Sequence, residues 1–159
     1  MGRAYLTIDD GPTGITDRIL DYLLGREITP ILFFVGTQVE LNYTQAIAAV
    51  KRGAIIGNHS YSHADFNKLT EAECIAEIER QEIILEKLYR DAGRKRINKL
   101  FRFPYGHRGG KIKLGYRSFY TIRNLIVLMI EILSINGIFS KGLIKRWMCF
   151  GHLILESIL

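Results

Sequence analysis

The 159-residue sequence predicts an α/β fold with a parallel sheet or barrel in one domain. Over the first 110 residues, short apolar segments typical of buried strands alternate with segments of helical periodicity. Such alternation is typical of parallel strands with helices packed outside them. In addition, polar motifs follow three of these strand segments, where α/β folds place their functional sites.

The first predicted strand spans residues 4–8 and ends at a polar turn that begins with Asp9. Apolar residues then recur at helical spacing over residues 15–24, which predicts a helix. A proline precedes the next apolar run, residues 31–35, and a second buried strand is predicted there.

A helix over residues 46–51 and a short third strand at 55–56 follow. The clearest helix is predicted over residues 70–92, because its first threonine and Glu73 form a capping-box pattern ahead of regularly spaced apolar residues. An apolar run at residues 100–103, ended by a proline, predicts the fourth strand.

The sequence changes character after residue 110. Residues 1–110 contain 15 basic and 14 acidic side chains, whereas residues 111–159 contain 7 basic and 2 acidic ones. The C-terminal segment, residues 111–159, also lacks Asp and Pro, and we expect one or two helices in it as part of the same domain. We interpret it as a divergent ending, and a frameshifted ending is one hypothesis, rather than as a nucleic-acid-binding patch.

Two further features bear on location and redox chemistry. The N-terminus has no signal-peptide pattern, so we expect the chain as written to stay in the cytoplasm. The longest apolar run, residues 125–133, is interrupted by Glu131 and is shorter than the roughly 20 residues of a membrane-spanning helix, which does not favour membrane association. Cys74 and Cys149 lack metal-type spacing and are interpreted as buried free thiols.

The first polar motif is the pair Asp9 and Asp10 at the end of the first predicted strand. Because successive strand residues point in opposite directions, one carboxylate can bind a metal while its neighbour faces a substrate. The alternative is an ordinary turn, since Asp-Gly and Gly-Pro are common turn dipeptides.

The second motif contains His59 and His63, which follow the third predicted strand. Histidines four residues apart share one face of a helical turn and can hold one divalent ion, with hydrogen bonds from Asn58 and Ser60 fixing the rings. The alternative is an unrelated pair of surface or core histidines.

The third motif, at the end of the fourth predicted strand, contains Arg102 and Tyr105. Arg102 can pair with a carboxylate across the site, and the Tyr105 backbone amide can point at a developing oxyanion. The alternative is an apolar strand whose one arginine extends its charged end into solvent.

Together the three motifs predict a metal-activated hydrolase. One Asp and two His provide three protein ligands and leave positions open, which is the pattern of catalytic metal sites. A second carboxylate beside them is the general base that such a hydrolysis needs.

The same three motifs resemble those of the polysaccharide deacetylase family, also called carbohydrate esterase family 4 or the NodB homology domain. The matching stretches read TIDDGP at residues 7–12, HSYSH at 59–63 and RFPYG at 102–106, and FFVG at 33–36 is similar too. The resemblance covers residues 4–110 and marks residues 1–110 as the catalytic region. It implies a partial or distorted (β/α) barrel of the NodB type, with parallel strands and outer helices.

The resemblance also implies an activity and roles for the site residues. The implied activity is hydrolysis of a carbon–nitrogen bond other than a peptide bond, which releases acetate from the N-acetylglucosamine units of a glycan. The implied metal ligands are Asp10, His59 and His63, binding Zn²⁺ or another divalent ion such as Co²⁺. Asp9 would be the general base, Arg102 would hold Asp9, and the Tyr105 backbone would stabilise the oxyanion. Family members are often secreted or associated with the cell envelope.

The chain departs from the family after residue 110. The family's fourth motif, with Asp and Trp, and its fifth motif, with a histidine general acid, are not recognisable there. Trp147 has no suitable Asp neighbour, His152 lies too soon after the third motif, and His107 is expected to be a solvated loop residue. The alternative to an active deacetylase is therefore a catalytically impaired remnant that binds metal or sugar.

Overall fold

The computed structural model describes residues 3–107, 109, 126–127 and 153–158. The strands are β1 (Arg3–Gly11), β2 (Ile31–Phe34), β3 (Ile55–Asn58), β4 (Leu100–Phe101), β5 (Ile126–Val127) and β6 (Leu153–Ile158). The helices are α1 (Thr16–Leu24), α2 (Gly36–Leu41), α3 (Tyr43–Lys51) and α4 (Glu71–Asp91), with 3₁₀ turns at Phe66–Lys68 and Pro104–Gly106.

These strands form one open six-stranded sheet in the order β5-β4-β3-β2-β1-β6. Strands β1 to β5 run parallel to one another, whereas β6 pairs antiparallel with β1. The sheet does not close within the described residues, so the prediction of a partial parallel barrel with outer helices is confirmed. The carboxyl ends of β1, β3 and β4 lie at the same edge, where the three polar motifs meet.

The largest apolar cluster of the fold lies between the sheet and its helices. Strand β2 is buried along its whole length, and side chains from α1, α3 and α4 pack with it. Representative members are Leu20, Phe34, Val50, Ile56 and Leu85, each at most 2% exposed. Each large side chain buried in this way contributes about 1.5–3 kcal/mol. This cluster fixes the relative positions of β2 and β3, and a second cluster, which includes Phe66 and Phe101, packs against β4.

Helix α4 begins and ends as predicted. The Thr70 hydroxyl accepts a hydrogen bond from the Glu73 amide (3.3 Å), and the Glu73 carboxylate accepts one from the Thr70 amide (2.8 Å), which confirms the capping box. At the other end Gly93 has a φ of +68°, a conformation that glycine adopts without strain.

Strand β1 is longer than predicted and is irregular at its end. It continues through both aspartates, but its register with β2 shifts between Ile8 and Gly11. Asp10 has a φ of +64°, so the backbone turns at this residue. Helix α2 was not predicted, because its six residues are too few to show a helical period.

The prediction of helices in the C-terminal segment is wrong where the structure describes that segment. Residues 126–127 and 153–158 are strands at the two edges of the sheet. Cys149, Trp147 and His152 lie outside the described residues. None of the helices in the described ranges has the length and hydropathy that a membrane crossing requires.

Candidate metal centre

The irregular end of β1 brings both aspartates to the same site. Alternation along a regular strand would send Asp9 and Asp10 to opposite faces, as the sequence predicted. The left-handed turn at Asp10 prevents this, so an oxygen of each carboxylate approaches His59: Asp9 Oδ2 lies 4.0 Å and Asp10 Oδ1 lies 3.4 Å from its Nε2. The irregular register at the end of β1, rather than strand alternation, therefore sets the geometry of the two aspartates.

His59 and His63 lie on an irregular loop and not on a helical turn, so that part of the prediction is wrong. Ser60 and His63 have φ values of +65° and +59°, which lie in the left-handed region. The Ser60 hydroxyl accepts a hydrogen bond from the His63 amide at 3.0 Å and holds the backbone at His63. The two rings consequently pack against each other with their centroids 4.9 Å apart.

The His59 ring is oriented by the backbone after β4. Its Nδ1 lies 2.8 Å from the Arg102 carbonyl oxygen, and the ring is 3% exposed. Because a carbonyl only accepts, Nδ1 donates the proton and Nε2 keeps its lone pair towards the site. Asn58 and Ser60 hold the loop backbone, where the sequence had predicted that they would fix the rings.

Three ligand atoms converge at this point. Asp10 Oδ1 lies 3.0 Å from the His63 Nε2 and 3.4 Å from the His59 Nε2, and all three atoms lie within 4.8 Å of one another. The neighbouring rings, that of His59 first, hold the pKa of the Asp10 carboxyl below its usual range. The carboxylate is therefore ionised at neutral pH.

The donor set fits a divalent cation. Asp10 Oδ1 is shielded from solvent, and the two imidazole Nε2 atoms lie 3.0 and 3.4 Å from it. A buried anionic oxygen that faces the lone pair of the His59 Nε2 is costly unless a cation lies between them. A metal ion between the three atoms would satisfy them together, and three protein ligands leave further positions open.

Arg102 makes the contact with a carboxylate that the sequence predicted. Its Nη1 donates to Asp9 Oδ1 and to the Thr7 hydroxyl, both at 2.8 Å, and its guanidinium lies 4.2 Å from the centre of the Phe33 ring. The side chain is 1% exposed, so the alternative of an arginine reaching into solvent is wrong. One oxygen of Asp9 is thereby held while the other faces His59.

Tyr105 lies beside the histidines. It occupies the 3₁₀ turn after β4 with a φ of +56°, and its ring packs edge-on against His63 with centroids 4.6 Å apart. The residue is 65% exposed, so its ring lies at the open side of the site. Its role through the backbone amide stays a prediction.

His107 is a partly exposed loop residue, as expected, but it also has an acidic partner. Its Nδ1 lies 2.7 Å from Asp65 Oδ1, and this contact lowers the pKa of the Asp65 carboxyl. Sequence reasoning missed the pair because its members are 42 residues apart and neither follows a strand directly.

Comparison with known families gives a match over most of the chain. The profile of the family described as "Polysaccharide deacetylase" matches residues 2–119. A peptidoglycan-N-acetylglucosamine deacetylase of Bacillus cereus is 38% identical over 104 residues, which are 64% of this chain and 35% of that protein. The peptidoglycan-N-acetylmuramic acid deacetylase PdaC of Bacillus subtilis is 35% identical over 104 residues, again 64% of this chain but 21% of that protein.

Solved structures show the same relationship. A family 4 carbohydrate esterase from Streptomyces lividans, in complex with acetate, superposes with a TM-score of 0.64 and 28% sequence identity. The superposition covers 82% of this chain and 65% of that chain. This chain therefore spans about a fifth to a third of the two curated relatives and about two thirds of the solved esterase.

Proposed function

We propose that this chain, which belongs to the polysaccharide deacetylase family, is a metal-dependent hydrolase that removes acetyl groups from N-acetylated glycans. The observation that supports this most is the convergence of Asp10, His59 and His63 on one point, with Asp9 alongside. Such an arrangement can activate water and polarise an amide carbonyl in the same place.

The substrate class follows from the chemistry and from the relatives. The Bacillus cereus and Bacillus subtilis relatives are named for N-acetylglucosamine and N-acetylmuramic acid units of peptidoglycan. We therefore propose that the substrate is a glycan bearing N-acetylated amino sugars, with an acetamido group reaching the open side of the site beside Tyr105.

Asp9 is the proton acceptor in this proposal. A divalent ion held by Asp10, His59 and His63, most simply Zn²⁺ with Co²⁺ as a substitute, would polarise the acetyl carbonyl and lower the pKa of the attacking water. Asp9 Oδ2 points into the site and can take the proton from that water. Arg102 binds the other oxygen of Asp9 and keeps the carboxylate in this orientation.

Two backbone groups complete the proposed mechanism. The Arg102 carbonyl holds the His59 ring in the tautomer that presents Nε2 to the site. The Tyr105 amide belongs to a left-handed turn next to His63, where it can donate to the oxyanion that forms from the acetyl carbonyl. These two backbone groups lose no freedom during the reaction, because the fold has already positioned them.

The direct test is acetate release from N-acetylated chitooligosaccharides and from peptidoglycan fragments, with Zn²⁺ or Co²⁺ added. Replacing Asp9 with Asn should lower the rate by roughly 10²–10⁴-fold, because the general base is lost. A chain that binds the metal but releases no more acetate than the Asp9→Asn variant would contradict the proposed activity.

The open sheet favours one alternative, a remnant that binds metal or sugar without turnover. Within the described residues the six strands form an open sheet, so the barrel around the site is not complete there. This alternative predicts that zinc and oligosaccharide bind with normal affinity while acetate release stays at the level of the Asp9→Asn variant. The two functions are therefore separated by measuring binding and turnover on the same preparation.

A further inference from the structure

A buried ion pair lies near the metal-binding loop, which we define as residues 59–63 and which carries the two predicted histidine ligands. Arg96 donates two hydrogen bonds to Glu82 on α4, with Nη1–Oε2 and Nη2–Oε1 distances of 2.6 and 3.0 Å. Both side chains are 1% exposed. Ion pairs buried this deeply cost about as much to desolvate as their attraction returns, and apolar residues often replace them without loss of stability. Stability alone is thus a weak reason for charges at these two positions.

Glu82 also binds the residue that precedes the metal-binding loop. Its Oε1 accepts a hydrogen bond from Asn58 Nδ2 at 2.8 Å, and the Ile78 carbonyl accepts a second one at 3.0 Å. Asn58 is fully buried and is the last residue of β3. Because two acceptors face the nitrogen of its carboxamide, the carboxamide oxygen must point the other way.

That oxygen holds the loop in its left-handed conformation. Asn58 Oδ1 accepts a hydrogen bond from the Ser60 amide at 2.8 Å, and the Ser60 hydroxyl accepts one from the His63 amide at 3.0 Å. Ser60 and His63 are the two residues with positive φ in this loop. A continuous path of short hydrogen bonds therefore joins Glu82 to the backbone of a predicted metal ligand.

Asn58 also contacts the region of His59, through its backbone carbonyl. Its carbonyl oxygen accepts a hydrogen bond from the Arg102 amide at 3.0 Å, and the Arg102 carbonyl in turn holds His59 Nδ1 at 2.8 Å. The position of Asn58 thus affects both imidazoles. Its side chain acts on His63 through Ser60, and its backbone acts on His59 through Arg102.

We infer that Glu82, paired with Arg96, is a positioning residue for the metal site. It sets the orientation of the Asn58 carboxamide and thereby holds His59 and His63 where their Nε2 atoms meet Asp10. The inference rests on the proposed metal site and deepens it, since it assigns a function to a buried side chain that does not contact the predicted ligands. Glu82 itself touches neither the metal ligands nor the substrate in this account.

The decisive variant replaces both charges with apolar residues, as Glu82→Leu with Arg96→Met. Its unfolding midpoint in urea should stay near that of the parent chain, because no buried charge is left unpaired, while one N–H of the buried Asn58 carboxamide loses its acceptor. Its zinc affinity, measured by competition with a chromogenic chelator, should fall about 10–100-fold, the range seen when an outer partner of a metal ligand is lost. If the Glu82–Arg96 pair only stabilised the fold, the zinc affinity of this folded variant would be unchanged.

Two single variants serve as controls. Glu82→Gln keeps an acceptor for Asn58 but removes the buried counter-charge of Arg96 and leaves it only the half-exposed Glu86 carboxylate, 3.6 Å away. Stability should therefore fall while the zinc affinity stays near that of the parent. Tyr89→Phe removes a buried hydrogen bond of 3.0 Å in which the Ile56 amide donates to the Tyr89 hydroxyl of α4. Ile56 lies on the same strand as Asn58 but before the loop. This substitution should lower the unfolding midpoint without changing zinc affinity.

The outcomes separate the inference from the proposed function. If the parent chain binds no zinc, the proposed metal site is wrong and the inference falls with it. If the parent binds zinc and the folded double variant binds it equally well, only the inference is overturned. Should the double variant not fold, Glu82→Asp decides, because its shorter side chain withdraws the acceptor from Asn58 and leaves Arg96 a counter-charge. Zinc affinity equal to the parent's in that variant would also overturn the inference.

Discussion

Asp9 and Asp10 are neighbours in the chain, but their surroundings give them different chemistry. The Asp9 side chain is 7% exposed and is paired with Arg102, whereas Asp10 is 46% exposed and faces two imidazoles. A buried carboxylate depends on its partner, while a half-exposed one can exchange a ligand with solvent. This difference is the residue-level reason for assigning proton transfer to Asp9 and metal binding to Asp10.

The dependence of Asp9 on Arg102 can be measured as stability. Arg102→Gln leaves a buried carboxylate without a counter-charge, so the free energy of unfolding should fall by about 3–5 kcal/mol. Adding Asp9→Asn removes the charge and should restore most of that loss in urea unfolding. If the double variant were as unstable as the single one, the pairing would not be what stabilises this region.

The reactivity of Cys74 is a second prediction at this scale. Burial, followed by the nearby glutamates Glu73, Glu71 and Glu77, raises the pKa of the thiol to about 11. Because this value lies above that of an unfolded thiol, the associated stability is complete below about pH 8.5 and is lost as the pH rises through 11. Iodoacetamide at pH 8 should therefore modify Cys74 in guanidinium but not in the folded protein, as peptide mass spectrometry would show. Labelling of the folded protein at the unfolded rate would contradict the burial.

The elements show which features a sequence reveals. Helices α1 and α4 were predictable because their apolar residues repeat over several turns, and the cap of α4 has a recognisable pattern. The strand ends were predictable because Asp, Pro and Gly follow them. The motif residues were therefore predicted to lie at the carboxyl edge of the sheet, where the structure places them.

The detailed geometry of the site was not predictable from the sequence. Positive φ at Asp10, Ser60 and His63 leaves no mark in composition, because none of these residues is glycine. The depth of Glu82 was also hidden, since a charged residue in an amphipathic helix is normally exposed. Tertiary contacts decide both features, and the chain alone does not report them.

Strand β3 offers a test of how closely the elements pack behind the site. A Cβ on Gly57 would lie 2.5 Å from a carbon of the Phe33 ring, the ring beneath Arg102. Gly57→Ala should therefore destabilise the fold by about 1–3 kcal/mol in urea unfolding. Gly14→Ala is the matched control, because no heavy atom lies within 4 Å of its added Cβ. Equal stability of the two variants would show that β2 and β3 are less closely packed than the structure indicates.

Over the described residues the molecule is an open, mostly parallel sheet with the candidate metal site at its carboxyl edge. Within the described residues β5 and β6 form the two edges of the sheet, and their backbone groups can pair with another chain. The fold therefore presents the predicted metal ligands completely but leaves the sheet itself unclosed.

This openness predicts self-association. Light scattering after size exclusion should show oligomers whose mass increases with protein concentration, because unpaired strand edges bind other edges. A monodisperse monomer with one cooperative thermal transition would contradict this expectation and would show that the edges are covered.

The central claim is that Asp10, His59 and His63 share one divalent ion, and anomalous diffraction at the zinc edge tests it most directly. Crystals grown with zinc should show a single strong peak about 2.0–2.2 Å from Asp10 Oδ1 and from the Nε2 atoms of both histidines. Crystals of the Asp10→Ala variant should have lost this peak. If the parent crystals showed no peak between these three atoms, or showed one only elsewhere, the proposal of a metal-dependent deacetylase would be contradicted.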